Sequence, residues 1–108
     1  MRITISARHC EVTDGLRERA QAVAERLAEL SPHALDATVV FDATPQRQTV
    51  ELRLHARGRK LLIGIGQGGD HRSALDRAEE KLRAQLTKTA KLRQRSRHAA
   101  PRSRARST

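Results

Sequence analysis

Apolar residues recur at every second position in four short segments of the chain, which is the pattern of a strand with one buried face. These segments span residues 2–7, 37–43, 48–56 and 60–65. In the last segment, three large apolar residues share one side of the strand and are predicted to face the core. They are Leu61, Ile63 and Ile65.

Two other segments have apolar residues at spacings of three and four, which predicts amphipathic helices. The first helix is expected to begin at Thr13 or Asp14, because either side chain can accept a hydrogen bond from a first-turn amide. Its apolar stripe comprises Leu16, Ala20, Val23, Leu27 and Leu30. The second helix follows Asp70, its predicted cap, and its stripe comprises Leu75, Ala78, Leu82 and Leu86.

The predicted order of elements, β-α-β-β-β-α, favours an α+β fold. A chain of 108 residues can bury enough surface for one core between two layers. Short connections predict that the last three strands form an antiparallel meander. Because each strand has one apolar face and each helix one apolar stripe, we expect a four-stranded sheet with both helices packed on one face.

Four glycines, at positions 64, 66, 68 and 69, occupy the end of the last strand and the connection to the second helix. Their spacing matches neither a P-loop nor the GxGxxG pattern of a dinucleotide-binding unit. We therefore interpret this segment as the end of a strand followed by a hinge.

The composition argues against several kinds of site. Phe41 is the only aromatic residue and Cys10 the only cysteine. A base-stacking surface for single-stranded RNA, an internal disulfide and a multi-cysteine zinc site are therefore not expected. The five histidines include no helical i, i+4 ligand pair, so no metal or cofactor is predicted. His9 and Cys10 are adjacent in an extended segment, where their side chains point apart, and they are not expected to form a catalytic pair.

The charge of the chain is concentrated at one end. The net charge is +10, and residues 1–87 carry 14 basic and 12 acidic side chains. Residues 88–108 carry eight basic side chains and no acidic one. A near-neutral body with a cationic end favours a polyanionic partner, with nucleic acid ahead of membrane. We expect a folded domain over residues 1–95 and a basic disordered tail over residues 96–108.

One face of the second helix carries most of the candidate contacts to RNA. Its positions follow a repeat of four and three and would form a stripe about 27 Å long. Phosphates along a nucleic-acid strand can follow such a row, and binding would then depend on salt. The stripe comprises Arg77, Lys81, Ala84, Lys88, Lys91 and Arg95.

Two further basic residues are candidates outside the second helix. Arg26 lies on the first helix, where most charges alternate in sign, as on an ordinary solvated face. Arg8 lies in the predicted loop after the first strand, where a phosphate contact and a plain polar loop are equally compatible with the sequence.

Several segments, in order along the chain, resemble the ribosome hibernation-promoting factor and ribosome-associated inhibitor family. The likeness covers about residues 2–93 and implies the same β-α-β-β-β-α fold. The segments are ITI at 3–5, ARHCEVTDGLR at 7–17, VELRLHARG at 50–58, Asp70, and KLRAQLTK at 81–88.

The resemblance implies a function that composition alone does not. Such proteins bind the small ribosomal subunit near the decoding centre, occupy the space of messenger and transfer RNA, and silence ribosomes in stationary phase or stress. Matched by position, Lys81 and Lys88 are implied contacts to ribosomal RNA, together with Gln85, Arg8 and Lys91. We expect a cytoplasmic, non-enzymatic protein without a membrane partner.

The short length is expected to place the chain with the short members of this family. Those members either assist a second small factor in pairing ribosomes or oppose the pairing, and the basic tail does not decide between these roles. A general double-stranded RNA-binding protein or RNA chaperone would use the same stripe. A small enzyme would need a convergent polar pocket, which the sequence does not indicate.

Overall fold

The computed structural model describes residues 1–31, 33–58 and 60–99, with side-chain environments up to Lys88. Its elements follow the order predicted from the sequence. They are β1 (Arg2–Arg8), α1 (Asp14–Glu29), β2 (Ala34–Ala43), β3 (Gln48–Ala56), β4 (Lys60–Gly68) and α2 (His71–Ala99). Helix α2 thus extends beyond the domain boundary predicted at residue 95, and residues 100–108 of the predicted tail lie outside the described residues.

The four strands form one mixed sheet in the order β1-β2-β3-β4. β1 is parallel to β2, and α1 connects them. The antiparallel pairs β2–β3 and β3–β4 confirm the predicted meander. Helix α1 contacts β1 and β2, whereas α2 contacts β3 and β4. The α+β fold with two helices and a four-stranded sheet is therefore confirmed.

The core lies between the helices and the sheet. Every residue of the apolar stripe predicted for α2 is buried, and Phe41 on β2 is fully enclosed. The His71 ring meets the Phe41 ring edge to face, with 5.3 Å between ring centroids. The largest fully buried side chains are Phe41, Leu27, Leu52, Leu54, Leu75, Leu82, Val23, Val39 and Val50.

The prediction of which face of β4 is buried is wrong. Leu61, Ile63 and Ile65 are 42%, 37% and 44% exposed, and they lie on the sheet face away from the helices. Gly64 and Gly66 face α2 instead. A Cβ atom on Gly64 would lie 2.6 Å from the Ala78 carbonyl oxygen, and one on Gly66 would lie 2.0 Å from the carbonyl oxygen of Ala74. The backbone of α2 packs directly on β4, so only glycine fits there.

Several details of the elements also differ from the prediction. β4 continues to Gly68 instead of ending at residue 65, so the hinge is limited to the two residues before His71. β2 begins at Ala34, three residues early, with a register shift between Ala34 and Asp36. Leu30 is 44% exposed instead of buried, because it is the C-cap of α1 and lies beyond the packed turns.

Both helices begin at a side-chain cap. Thr13 is the N-cap of α1, and its hydroxyl accepts a hydrogen bond from the Leu16 amide at 3.2 Å. The Asp70 carboxylate accepts from the Ser73 amide at 2.7 Å. That hydrogen bond is the main reason why the pKa of Asp70 lies below its ordinary value. These caps satisfy amides that the first helical turn leaves unpaired.

Candidate nucleic-acid interface

Helix α2 packs on β4, and its two flanks have different neighbours. β4 is the last strand in the sheet order, so one of its edges has no partner strand among the described residues. On one flank, Arg77 and Gln85 reach the backbone of β4. On the other flank, Asp76 and Glu79 pair with side chains of α1. The candidate residues are therefore divided between two surfaces.

Arg77 and Gln85 hydrogen-bond to the edge strand. The Arg77 guanidinium donates to the Gln67 carbonyl at 2.6 Å, and the Gln85 side-chain amide donates to the Ile63 carbonyl at 2.7 Å. Unpaired groups on an edge strand can recruit another strand, and proteins commonly cover them. These two residues thus contribute to the fold itself, a role that sequence reasoning missed because it assigned them only to RNA.

Lys81 and Lys88 are the least committed of the candidate residues. Both side chains are exposed. No ion pair within the described part of the chain involves either lysine. Lys81 lies one turn from both Arg77 and Gln85, so it shares their flank of α2. The two ammonium groups are therefore available to an external anion.

Lys91 and Arg95 continue the same repeat along α2. Their backbone lies within the helix, which ends at Ala99, and their side chains lie outside the described environments. Ala84, which was predicted to lie in the same basic stripe, is exposed. The continuous helix preserves the four-three spacing on which the predicted stripe depends.

Arg26 lies on the opposite flank, at the seam between the two helices. Its Nε donates to Glu79 Oε2 and its Nη2 donates to Glu79 Oε1, both at 3.2 Å. Arg83 Nη2 donates to the same Glu79 carboxylate at 2.9 Å. A second pair joins the helices nearby, from Arg19 Nη2 to Asp76 at 2.9 Å. The structure therefore adds Arg83 to the basic residues of interest and separates Arg26 from Lys81.

Arg8 is not brought together with the helical residues. It is the last residue of β1, not a loop residue as predicted. Its neighbour Ala7 packs toward the core, so Arg8 points to the open face of the sheet. His9 follows with a φ of 56° and contacts Asp42 at 3.1 Å. That hydrogen bond is the largest cause of the lowered pKa of Asp42.

Two other kinds of site are not evident in the part of the chain that the structure describes. No described helix is long and apolar enough to cross a membrane. Among the same residues, no group of three or more His, Cys, Asp and Glu side chains comes together as a metal site would require.

The fold and the cationic α2 surface define a small α+β domain suited to an anionic partner. Residues 3–94 match the family model described as Sigma 54 modulation protein / S30EA ribosomal protein. This match covers most of the chain, which therefore belongs to that family. The resemblance to hibernation-promoting factors found in the sequence is thereby confirmed.

Two solved structures share the fold. The N-terminal domain of Protein Y from Thermus thermophilus superimposes with a TM-score of 0.72 at 26% sequence identity, over 82% of this chain and 99% of that one. A ribosomal subunit interface protein from Coxiella burnetii gives a TM-score of 0.76 at 18% identity, over 83% of this chain and 98% of that one. None of the curated protein sequences compared with the chain matches it significantly.

Proposed function

We propose that this protein is a ribosome hibernation factor that binds the small ribosomal subunit near the decoding centre. It blocks translation by occupying the space of messenger and transfer RNA, without catalysis. The observation that carries the proposal is that Lys81 and Lys88 on α2 are exposed and form no ion pair within the described part of a chain of the S30EA ribosomal protein family. The protein would act in the cytoplasm in stationary phase or under stress, and a second small hibernation factor is a candidate further partner if the protein assists ribosome pairing.

Affinity in this proposal comes from phosphate contacts. Lys81 and Lys88 are the main contacts, and Lys91 and Arg95 extend the row along α2. Each phosphate that a lysine neutralises releases counterions from the RNA, so binding weakens steeply as salt rises. Rigid presentation on a helix fixed by the buried stripe of α2 reduces the ordering cost of binding.

The remaining candidates have secondary parts. Arg77 and Gln85 hydrogen-bond to the β4 backbone, so in this proposal their contacts to RNA are secondary to that role in the fold. Arg26 contributes from the seam beside Glu79. Arg8 lies on the other face of the sheet, so it reaches RNA only where ribosomal RNA surrounds the domain.

Sedimentation with purified small ribosomal subunits tests the proposal. The wild-type protein should co-sediment in moderate salt and be released in high salt. Lys81→Glu combined with Lys88→Glu should abolish co-sedimentation while circular dichroism and thermal unfolding remain those of the wild type. Migration of the wild type at the top of the gradient at every salt concentration would contradict the proposal.

A matched control reverses the same number of charges at exposed positions that are not candidate contacts. Arg2→Glu combined with Arg57→Glu changes the net charge equally, and neither residue lies on a helix. This variant should retain most of the binding. Equal loss in both double variants would show that net charge, not the α2 surface, controls binding.

A competition assay separates this function from general recognition of double-stranded RNA. A hibernation factor should remain bound to small subunits in excess free RNA duplex. An RNA chaperone or general duplex-binding protein would transfer to the duplex, because the same lysines meet equivalent phosphates there.

A further inference from the structure

The seam between α1 and α2 holds one carboxylate between two arginines. Glu79 is 13% exposed, whereas Arg26 and Arg83 are 50% and 47% exposed. Arg26 comes from α1 and Arg83 from the next turn of α2. The acid is therefore mostly enclosed, and both guanidinium groups reach the surface above it.

The contacts fix the direction of both arginines. Arg26 uses two donors on the two oxygens of Glu79, which is a planar fork-to-fork geometry. Arg83 approaches the same carboxylate from one helical turn away. The other N–H groups of both guanidiniums are free of Glu79 and border solvent. The cluster carries a net positive charge, and Glu79 further raises the pKa of Arg26, mainly through their hydrogen bond.

Glu79 is not needed merely to attach the two helices. The Arg19–Asp76 pair also joins α1 to α2. Ala20, Val23 and Leu27 of α1 are buried in the same core as the α2 stripe. An enclosed acid that faces two cations therefore has a further consequence, which is the fixed orientation of the cations.

We propose that Glu79 is a positioning residue that holds Arg26 and Arg83 as one binding pair for a backbone phosphate of RNA. The inference rests on the proposed function and adds a second contact region to it. The pair lies on the α1 side of α2, whereas Lys81 lies on the β4 side beside Arg77 and Gln85. The phosphate oxygens accept hydrogen bonds from the guanidinium N–H groups of Arg26 and Arg83 that do not bind Glu79.

Charge alone predicts the opposite effect of removing the acid. Neutralising Glu79 raises the net charge by one, and simple attraction to RNA would then become stronger. Positioning predicts weaker binding, because a released arginine must be ordered again to meet the phosphate and otherwise loses that contact. The sign of the change in affinity therefore separates the two explanations.

The experiment measures the affinity of the wild type, Glu79→Gln and Glu80→Gln for purified small ribosomal subunits over a series of salt concentrations. Glu80 is an exposed carboxylate on the adjacent position, and it serves as the matched control because its change in charge is the same. Glu79→Gln should bind about fivefold to tenfold more weakly, the cost of ordering one or two long side chains. Glu80→Gln should bind as tightly as the wild type or more tightly.

The salt dependence provides a readout that a purely structural defect would not produce. Loss of one phosphate contact should reduce the slope of log affinity against log salt by about 0.7 to 0.9. Glu79→Gln should show this shallower slope with an unchanged circular dichroism spectrum. Affinity equal to or above that of Glu80→Gln, with an unchanged or steeper slope, would overturn the inference.

Arg83→Lys keeps the proposal testable if Glu79→Gln does not fold. It leaves the net charge unchanged at a half-exposed position, but lysine lacks the planar fork that a carboxylate and a phosphate share. Weaker binding by about threefold or more would support the pair. Undiminished binding would overturn it. Failure of the wild type to bind would instead contradict the proposed function itself.

Discussion

β3 and β4 are neighbouring antiparallel strands that present opposite kinds of residue to the helices. β3 buries large aliphatic side chains, whereas β4 turns Gly64 and Gly66 toward the helix and leaves Leu61, Ile63 and Ile65 exposed on its other face. The register places Leu52 beside Gly64 and Val50 beside Gly66. On the inner face of this strand pair, bulky side chains of β3 therefore lie beside glycines of β4, which have no side chain.

The difference shows how α2 is seated. The helix backbone comes so close to β4 that an added Cβ would overlap carbonyl oxygens of α2. β3 supplies the side-chain volume that fills the space beneath. The close approach also lets Arg77 and Gln85 reach the edge carbonyls of β4. The same close packing that excludes side chains from the inner face of β4 thus places one flank of α2 within hydrogen-bonding distance of the β4 backbone.

Leu52→Ala should produce the largest loss of stability. Leu52 is only 2% exposed on β3, and truncation of a buried leucine leaves a cavity that costs about 2–5 kcal/mol. The free energy of unfolding from urea titrations measures this loss. A loss below about 1 kcal/mol would contradict the assignment of the core volume to β3.

Gly66→Ala should follow, at about 3 kcal/mol, the upper end of the usual cost of overpacking. The new methyl group would meet the Ala74 carbonyl, which belongs to the helix backbone and cannot rotate away. Gly69→Ala is the matched control, because no heavy atom of the described residues lies within 4 Å of its added Cβ. Equal unfolding free energies for the two variants would show that α2 does not rest on β4.

Ile63→Thr should change the unfolding free energy by about 0.5 kcal/mol or less, as is usual for exposed positions. Ile63 is 37% exposed on the open side of β4, and threonine preserves the β-branched shape. The same urea titration provides the comparison with Leu52→Ala. A loss similar to that of Leu52→Ala would mean that the outer side of β4 is covered in solution.

Acid should lower the stability of the protein by a smaller amount, through the Asp70 cap at the start of α2. The pKa of Asp70 is lowered from 3.8 in the folded protein, mainly by the Ser73 amide. On acidification the unfolded chain therefore binds a proton before the folded chain does. The contribution of Asp70 is present above its ordinary pKa and is lost as pH falls through the folded value.

Thermal unfolding from about pH 5 down to about pH 2 measures this effect. Asp70→Asn should give a shallower decline in melting temperature than the wild type over that range. An unchanged decline would assign the acid sensitivity to other carboxyl groups, of which Asp42, with its lowered pKa, is the first to test.

Much of the candidate site could be predicted from sequence, but its division into two surfaces could not. Helical spacing correctly indicated that Lys81 and Lys88 are exposed. The same spacing could not show that Arg77 reaches Gln67, because that contact depends on the distance between α2 and the edge of β4. The Arg26–Glu79 contact likewise joins residues 53 positions apart, and no local pattern encodes it.

The error on β4 had a usable signal. Gly64, Gly66 and Gly68 occupy every second position of the strand. Glycines repeated on one face of a strand indicate that another backbone approaches that face closely. The interpretation of these residues as a strand end and hinge overlooks that signal, because the neighbouring leucine and isoleucines resemble an ordinary core face.

The sequence by itself determined the order of the elements, the buried stripe of α2 and the concentration of charge toward the end of the chain. Each depends on short-range periodicity or on composition, which do not require knowledge of distant contacts. Only the tertiary structure decided which face of β4 is inside, which cations secure the edge strand and which are held by Glu79. Alternation divides the residues of a strand between two faces, but it does not show which face is buried. For β4 that is decided by how closely a distant helix can pack against it.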